Sequence, residues 1–411
     1  MVQQQLAVLV ILNTAIFHVN ACSTDEDCSL LGICDVITGL CDCDPGWHGK
    51  DCGVGMFDDY DDVNHLGYVN HSAASWGGRP LFINGKWQLF VTEIANHCPL
   101  ILFMNNSMII RAESTTNSAA GPYAHAGVVR LPFAHNPTAI GPTPDGYYLV
   151  YSIGGVSPGH ASPSPPSWDL NCVTSLPSCA EKNYCRQHGT PPSNGQIVMS
   201  YSKDPVAGPW VHRVVLEINH TDHWNCHNNN PTAIINATDG RVVMMYHGSA
   251  CANGGVSLEG GEELGVADAA HWNQTTYVKR AGGPIISAAN GTGSHEDPFM
   301  WVDKRGHFHA ITHNQGGGNL CGSGEAGHSC GAHLFSRDSY SWKISKKPVY
   351  TPQVRIKSTG KVVSLQTRQR PQVVFSDDGE MRPLYLFNGA SFEGNNPDLN
   401  MLTHTLAFKF K

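Results

Sequence analysis

Charged residues are scarce in this sequence. Asp, Glu, Lys and Arg make up 15% of its 411 residues, against roughly 25% in ordinary soluble domains. The 26 basic residues form no run and are outnumbered by 34 acidic ones. Because neutralising phosphates takes clustered cations, this composition argues against nucleic acid or anionic membranes as partners. No phosphate-binding loop or basic cluster supports a nucleotidase either.

Long hydrophobic runs are also missing, so no segment is expected to span a membrane. The most apolar stretch, residues 6–17, is short and is followed by the small residues Val19-Asn20-Ala21. This pattern predicts a signal peptide over residues 1–21, although no Lys or Arg precedes the apolar stretch. We expect a secreted, extracellular protein. A short buried core segment is the alternative.

Asparagine sequons and cysteines fit the secretory route. Glycans are expected on surface loops that carry Asn-x-Ser/Thr. The predicted sites are Asn70, Asn105, Asn219, Asn236, Asn273 and Asn290. The cysteines number 14, an even count that an oxidising compartment allows to pair completely.

Six cysteines are concentrated near the amino terminus. They are Cys22, Cys28, Cys34, Cys41, Cys43 and Cys52. So short a segment cannot fold on its hydrophobic core alone, so we expect three disulfides to hold it. Spacing alone allows fifteen connectivities. A zinc site is the alternative, but these spacings in a secreted chain disfavour it.

The Cys-x-Cys step and the Gly-Trp-x-Gly turn at residues 46–49 resemble an epidermal growth factor-like domain, over residues 22–53. The resemblance implies the pairs Cys22–Cys34, Cys28–Cys41 and Cys43–Cys52. We interpret the module as a spacer or adhesion element that can contact an extracellular protein partner. The Asp/Asn pattern of calcium-binding modules is not evident.

A pattern of a polar residue, proline, an apolar run, a Gly-containing turn and a second apolar run recurs five times behind this module. Turns of the Asn-Gly and Asp-Gly type between apolar runs predict β-hairpins. The copies span residues 79–93, 136–152, 230–247, 297–313 and 370–388. Successive prolines lie 57, 94, 67 and 73 residues apart. Such uneven spacing suits a propeller with loops of different length.

Three of the copies are followed by a further pair of strands that holds a tryptophan. These tryptophans are Trp210, Trp272 and Trp342. Two hairpins per repeat predict a four-stranded blade, so the fold class is all-β, a five-bladed β-propeller. The stretch 157–194, with Cys172, Cys179 and Cys185, is interpreted as a disulfide-stapled insertion. A β-sandwich or unrelated hairpins would be the alternative, but neither predicts a fivefold register.

Residues 65–411 resemble the five-bladed propellers of glycoside hydrolase family 43 and related furanosidase families. The resemblance rests on the x-Pro strand starts, the Asp-Gly hairpin followed by Tyr147, Tyr148 and Tyr151, and the Ser-Lys-Asp…Gly-Pro-Trp stretch at 202–210. It implies that the residue before each proline faces a central funnel. In this chain these residues are Arg79, Asn136, Asn230, Asp297 and Arg370.

Glycoside hydrolysis ordinarily uses two carboxylates, one as acid and one as base. The resemblance places an Asp, an Asp and a Glu in the first three blades, but here Arg79, Asn136 and Asn229/Asn230 occupy those positions. Asp297 in the fourth repeat is therefore the favoured general base. Its neighbour Glu296 is also a catalytic candidate, although it is expected to point elsewhere along an extended strand. A structural role at a strand start is the alternative for Asp297.

The remaining catalytic candidates are His295, beside that pair, and Glu93, at the end of the second strand of the first repeat. Histidines recur at equivalent positions of the repeats and can serve in proton transfer or metal binding. His135, His227, His247 and His313 are assigned to the substrate-binding set together with Arg79, Asn136, Asn230 and Arg370. Arg79 and Arg370 could hold a carboxylate or sulfate.

No tight metal-ligand spacing such as His-Glu-x-x-His occurs, so the metal is unknown. No cofactor is expected, and a structural metal ion in the funnel is left open. Trp76 and Trp301 offer stacking faces, with a core role as the alternative. Of the eight cysteines in the propeller, Cys321 and Cys330 flank a Gly-rich loop and are predicted to pair.

Two functions follow. The first is a secreted glycoside hydrolase, inverting if active, that acts on cell-wall or extracellular-matrix polysaccharide through the funnel. The second is a lectin-like or matrix protein that kept the propeller and lost the carboxylates. The sequence names neither the sugar, the linkage nor the oligomeric state.

Overall fold

A computed structural model shows an all-β protein, in which the seven sheets of the described residues form a small disulfide-bonded module and a five-bladed propeller. The structure describes residues 22–100, 103–155, 195–219, 224–252, 255–257, 263–287, 293–314, 320, 330–392 and 403–411. Within these ranges the helical segments are single turns at Asp25–Cys28, Ala95–His97 and Phe103–Asn106. None of the described helices could cross a membrane.

The module contains β1 (Gly32–Asp35), β2 (Leu40–Cys43), β3 (Trp47–His48) and β4 (Val54–Gly55), and β5 (Gly67–Tyr68) follows it. The first blade is β6 (Ser75–Ile83), β7 (Lys86–Ile94), β8 (Ser107–Ser114) and β9 (Tyr123–Arg130). The second is β10 (His135–Ile140), β11 (Tyr148–Ile153), β12 (Ile197–Ser202) and β13 (Val211–Leu216).

The third blade is β14 (His227–Ile235), β15 (Val242–Ala252), β17 (Glu263–Ala269) and β18 (Val278–Lys279), with β16 (Gly255–Ser257) paired to β15. The fourth is β19 (His295–Val302), β20 (Phe308–Asn314), β21 (Cys330–Ser336) and β22 (Lys343–Ile344). The fifth has β23 (Gln353–Arg355), β24 (Val362–Phe375), β25 (Pro383–Phe392) and β26 (His404–Lys409).

The ring of blades is closed by a strand that precedes the first blade. β5 pairs with β26, with Tyr68 opposite Thr405, so the outer strand of the fifth blade comes from the start of the propeller. A closed ring leaves only short edges on each blade. The predicted five-bladed fold is confirmed.

Every innermost strand carries a two-residue β-bulge at the same place. The pairing of the first two strands of each blade skips residues 77–78, 136–137, 230–231, 297–298 and 370–371. The first bulge residue always has a left-handed φ: Gly77 62°, Asn136 53°, Asn230 49°, Asp297 54° and Arg370 51°. Proline follows in four blades because a bulge residue needs no ladder donor.

The bulges correct one part of the predicted register. Gly77, not Arg79, is the residue of the first blade equivalent to Asn136, Asn230, Asp297 and Arg370. Arg79 follows the bulge and corresponds to Thr138 of the second blade. The Arg-Pro dipeptide therefore resembles the other x-Pro starts in sequence but lies two residues further along the strand.

The amino-terminal module has the three disulfides that the resemblance implied, Cys22–Cys34, Cys28–Cys41 and Cys43–Cys52. It is not a free spacer, because its hydrophobic residues join one core cluster with the fourth and fifth blades. Trp47 stacks on Trp301 at 6.4 Å between ring centroids and contacts Phe410 at 5.7 Å. Arg305 of the fourth blade ion-pairs with Asp44.

Several predictions fall outside the described residues. They concern the signal peptide over 1–21, the insertion over 157–194 with Cys172, Cys179 and Cys185, the sequon at Asn290, the side chain of Asn105, and Cys321. Cys98, Cys226 and Cys330 are disulfide-bonded. The predicted pairing of Cys321 with Cys330 stays a prediction.

Candidate active site at the propeller axis

The first bulge residues of the second to fifth blades meet at the propeller axis. Asn136 Nδ2 donates to Asn230 Oδ1 at 2.6 Å and lies 3.4 Å from Asp297 Oδ1. The backbone N–H of Arg370 donates to Asp297 Oδ2 at 3.2 Å. The convergence predicted for these four residues is therefore observed, and it produces a buried polar ring.

Arg370 fills the place that the first blade leaves empty. Gly77 has no side chain, and a Cβ there would lie 2.3 Å from Arg370 Cγ. The guanidinium is fully buried and donates from Nη2 to the carbonyl oxygens of Asn136 and Pro231 at 2.7 and 3.2 Å. Its Nη1 lies 3.5 Å from Asp297 Oδ1. Arg370 thus serves inside the axis, and the fork of Arg79 and Arg370 for a substrate anion stays a prediction.

Asp297 is almost completely enclosed by these contacts. It is 2% exposed, and both carboxylate oxygens have partners in the ring. Burial and the neighbouring charge of Glu296 raise the pKa of Asp297 to about 6, although the cation of Arg370 opposes the shift. This environment supports a role in setting the charge at the axis more than direct contact with a large substrate.

Glu296 lies on the same side as Asp297, contrary to the alternation expected for an extended strand. The bulge at Asp297 interrupts that alternation, because a bulge re-aims the side chains next to it. Ligand atoms of Glu296, Asp297 and His313 all lie within 4.8 Å of one another. Glu296 Oε1 is 2.9 Å from His313 Nδ1 on the facing strand β20, and its side chain is 17% exposed. Glu296 is therefore the more accessible carboxylate.

Two buried histidines of other blades are influenced by the charge of Glu296. His135 of the second blade and His247 of the third are each 4% exposed, and the charge of Glu296 opposes the lowering of their pKa values by burial. The pKa of His135 falls to about 3, so its imidazole is neutral. His135 Nδ1 lies 2.8 Å from Ser107 Oγ, which fixes the ring. The charge of Glu296 thus acts on buried groups of the second and third blades.

The other predicted histidines lie at the strand starts. His295 is fully buried, with Nδ1 3.0 Å from Thr312 Oγ1, so it supports the strand and is not exposed to substrate. His227 is partly buried at the start of β14 and packs against Gly195. A Cβ added at Gly195 would lie 2.4 Å from His227 Nδ1.

Glu93 belongs to a separate cluster between the first and fifth blades. Tyr68 Oη donates a short hydrogen bond to Glu93 Oε2, and His125 Nδ1 lies 3.5 Å from Glu93 Oε1. Burial and the Glu93 carboxylate raise the pKa of Tyr68 well above its usual range. Sequence reasoning missed Tyr68 because it lies on the closing strand, outside the repeats.

The remaining predicted residues have structural contacts. The Arg79 guanidinium lies 5.3 Å from the ring centroid of Phe299 and donates to the carbonyl of Ala139 at 3.3 Å, which ties the first blade to the fourth and second blades. Trp76 and Trp301 are each 5% exposed. They are core residues, and the stacking role suggested for them is wrong.

Glu296, Asp297 and His313 offer the donor atoms of a small cation site. Carboxylate oxygens and an imidazole nitrogen suit a divalent ion. However, the Arg370 guanidinium already lies 3.5 Å from Asp297 Oδ1 and supplies positive charge there. The donor set therefore fits a cation poorly, and a metal ion in the funnel stays a prediction.

Comparison with known proteins gives the module and the propeller separate relatives. The family model of the EGF-like domain matches residues 22–52. No curated protein sequence matches the chain.

Among solved structures, the chain is similar to Zg3597, a family 117 glycoside hydrolase from the marine bacterium Zobellia galactanivorans. The TM-score is 0.52 at 14% identity, over 86% of this chain and 90% of that chain. It is also similar to a family 43 (GH43_1) enzyme from Xanthomonas citri complexed with xylotriose, with a TM-score of 0.48 at 12% identity, over 82% of this chain and 88% of that one. The likeness to Zg3597 shows a shared fold.

Proposed function

We propose that this protein is a secreted carbohydrate-active enzyme, a glycoside hydrolase whose accessible proton-transfer group is Glu296. The observation that carries the proposal is the Glu296–His313 pair at the propeller axis, with its oxygen and nitrogen 2.9 Å apart. The relative with the shared fold is a glycoside hydrolase. The three disulfides of the module support an extracellular location.

In this proposal Glu296 acts as the general base that activates water. His313 holds the carboxylate in place through its Nδ1. Asp297 lies too close to act as the opposite group, because its oxygen is within 4.8 Å of the Glu296–His313 cluster and an inverting pair is about 6.5–9.5 Å apart. Asp297 instead places a second acidic group beside Glu296, on the base's side of the sugar.

The proposed acid is His247 of the third blade, a buried histidine whose pKa is influenced by the charge of Glu296. Burial lowers the pKa of His247 below 6.5, and the charge of Glu296 opposes that shift. As a general acid, the charged imidazolium gives its proton to the leaving oxygen and becomes a neutral imidazole. The rate is therefore expected to rise as the pH falls below 6.5, because a larger fraction of His247 is then charged.

A propeller lectin is the second candidate. It is favoured by one observation, namely that Asp297, the base predicted from the sequence, has both oxygens occupied within the buried ring. A binding protein needs the shape and polarity of the funnel but no accessible base. The two candidates differ in whether sugar is released.

The test incubates the secreted protein with a panel of polysaccharides and aryl furanosides and measures bound and released sugar. Glu296→Gln removes the base, and Asp297→Asn removes the neighbouring charge. Release by the wild-type protein that Glu296→Gln abolishes supports the hydrolase. Binding by all three proteins without release would reject it and leave the lectin.

A further inference from the structure

A groove of about 250 Å³ lies away from the axis, between the segment that leaves the amino-terminal module and the segment that enters the fifth blade. The two segments are joined at both ends of the groove. The backbone N–H of Gly55 donates to the carbonyl of Val349 at 3.0 Å, and that of Tyr60 donates to the carbonyl of Arg355 at 2.8 Å.

The side chain of Arg368, from the innermost strand β24, lines this groove. It is 2% exposed and is enclosed by aromatic rings, with its guanidinium carbon 4.0 Å from the centroid of Phe408 and 4.5 Å from that of Tyr350. Nε donates to Asn388 Oδ1 at 3.2 Å and Nη1 donates to the carbonyl of Thr351 at 2.9 Å. Its Nη2 is buried without a hydrogen-bond partner among the described residues.

Within the described part of the chain, no carboxylate forms an ion pair with Arg368 either. The acidic residues that line the groove have their own cations, because Asp58 pairs with Lys409 at 3.0 Å and Asp59 with Arg355 at 3.9 Å. Burial lowers the pKa of Arg368 only to about 10, so the guanidinium stays charged at neutral pH. A buried charge without a counterion is costly, and guanidinium groups pair strongly with oxyanions.

We propose that this groove is a binding site for a compact oxyanion, a sulfate or carboxylate group, which accepts a hydrogen bond from Arg368 Nη2. The aromatic rings keep the guanidinium in place and away from bulk water, which strengthens a charge-assisted bond. The excess of one positive charge selects an anion over a cation. The group can be a free ion or the acidic substituent of a glycan, since both present the same oxygens.

Gln353 gives a way to test the site without changing the core. It lines the groove and is exposed, so Gln353→Glu places a carboxylate in the groove without removing any buried contact. That carboxylate supplies the missing negative charge and repels a second anion. Gln353→Asn is the matched control, because it keeps the position neutral.

The experiment titrates the full chain with sodium sulfate at constant ionic strength, using calorimetry and the midpoint of thermal unfolding. We expect saturable sulfate binding by the wild-type protein and by Gln353→Asn, and binding at least tenfold weaker for Gln353→Glu. Arg368→Gln should abolish binding, and Gln353→Glu keeps the test valid if that variant does not fold. A response equal in the wild-type protein and Gln353→Glu, or none in the wild-type protein, overturns the proposal.

A second arm identifies the source of the anion. A sulfated disaccharide and its unsulfated form are titrated under the same conditions. Tighter binding of the sulfated disaccharide than of inorganic sulfate assigns the site to an acidic glycan, whereas equal binding assigns it to a free ion.

Discussion

Arg370→Met tests the buried ring that supports the site. Methionine keeps an unbranched apolar stem and removes the guanidinium, which donates to the carbonyl oxygens of Asn136 and Pro231 at 2.7 and 3.2 Å. The change also leaves the buried carboxylate of Asp297 without its cation, 3.5 Å away. Removing one partner of a buried pair costs about 3–5 kcal/mol. We expect that loss in the free energy of unfolding at pH 7.5, measured by chemical denaturation.

The loss should depend on pH with a definite sign. The pKa of Asp297 is about 6 with Arg370 present, and removing the cation raises it further. The folded variant then binds a proton more tightly than the unfolded chain, so its deficit is smaller at pH 5 than at pH 7.5.

Two further variants complete this test. Arg370→Met combined with Asp297→Asn should recover part of the loss, because no uncompensated charge remains. Arg382→Met, at an exposed ion pair, should change the free energy of unfolding by less than about 0.5 kcal/mol. A loss below about 1 kcal/mol at pH 7.5 for Arg370→Met, or one that does not change with pH, would refute the buried-pair argument.

Other predictions concern the first blade and the interface with the amino-terminal module. Gly77→Ala should lower the free energy of unfolding by about 2–4 kcal/mol. The residue has a left-handed φ, and the added Cβ would lie 2.3 Å from Arg370 Cγ. Gly85 also has a left-handed φ, but an added Cβ there would meet open space. Gly85→Ala should therefore lower the free energy of unfolding only by the backbone strain, about 1–2 kcal/mol. Equal losses for the two variants would contradict the packing argument. Burial and His309 hold the pKa of His333 well below 6.5, so the free energy of unfolding should fall below pH 6.5. Through this one group, the free energy of unfolding can change by at most about 1.4 kcal/mol per pH unit. Chemical denaturation between pH 7.5 and 5 checks this. The free energy of unfolding should depend less on pH in His333→Gln than in a control variant substituted at the exposed His48.

The fivefold repeat could be predicted from the sequence because each copy has the same local chemistry, an x-Pro step and a Gly turn between apolar runs. The bulge could not, because it is defined by pairing with the next strand. That is why Arg79 was assigned a position that belongs to Gly77. The same bulge explains why Glu296 faces the axis although strand alternation predicts otherwise.

Contacts between segments that are far apart along the chain could not be predicted from the sequence. Tyr68 reaches Glu93 only because the strand before the first blade closes the fifth. Trp47 belongs to the Gly-Trp-x-Gly turn of the module, and nothing local indicates that it packs on Trp301 of the fourth blade. The disulfide pairs, in contrast, followed from the resemblance to EGF-like domains and are confirmed.

The most direct test of the account is the kcat/KM of Glu296→Gln on whichever glycan the wild-type protein cleaves, with Glu380→Gln as the surface control. Loss of general base catalysis typically costs about 10²–10⁴-fold. We predict a loss of that size for Glu296→Gln, unchanged sugar binding, and wild-type rates for Glu380→Gln. Wild-type release by Glu296→Gln would contradict the central claim that this carboxylate carries the chemistry.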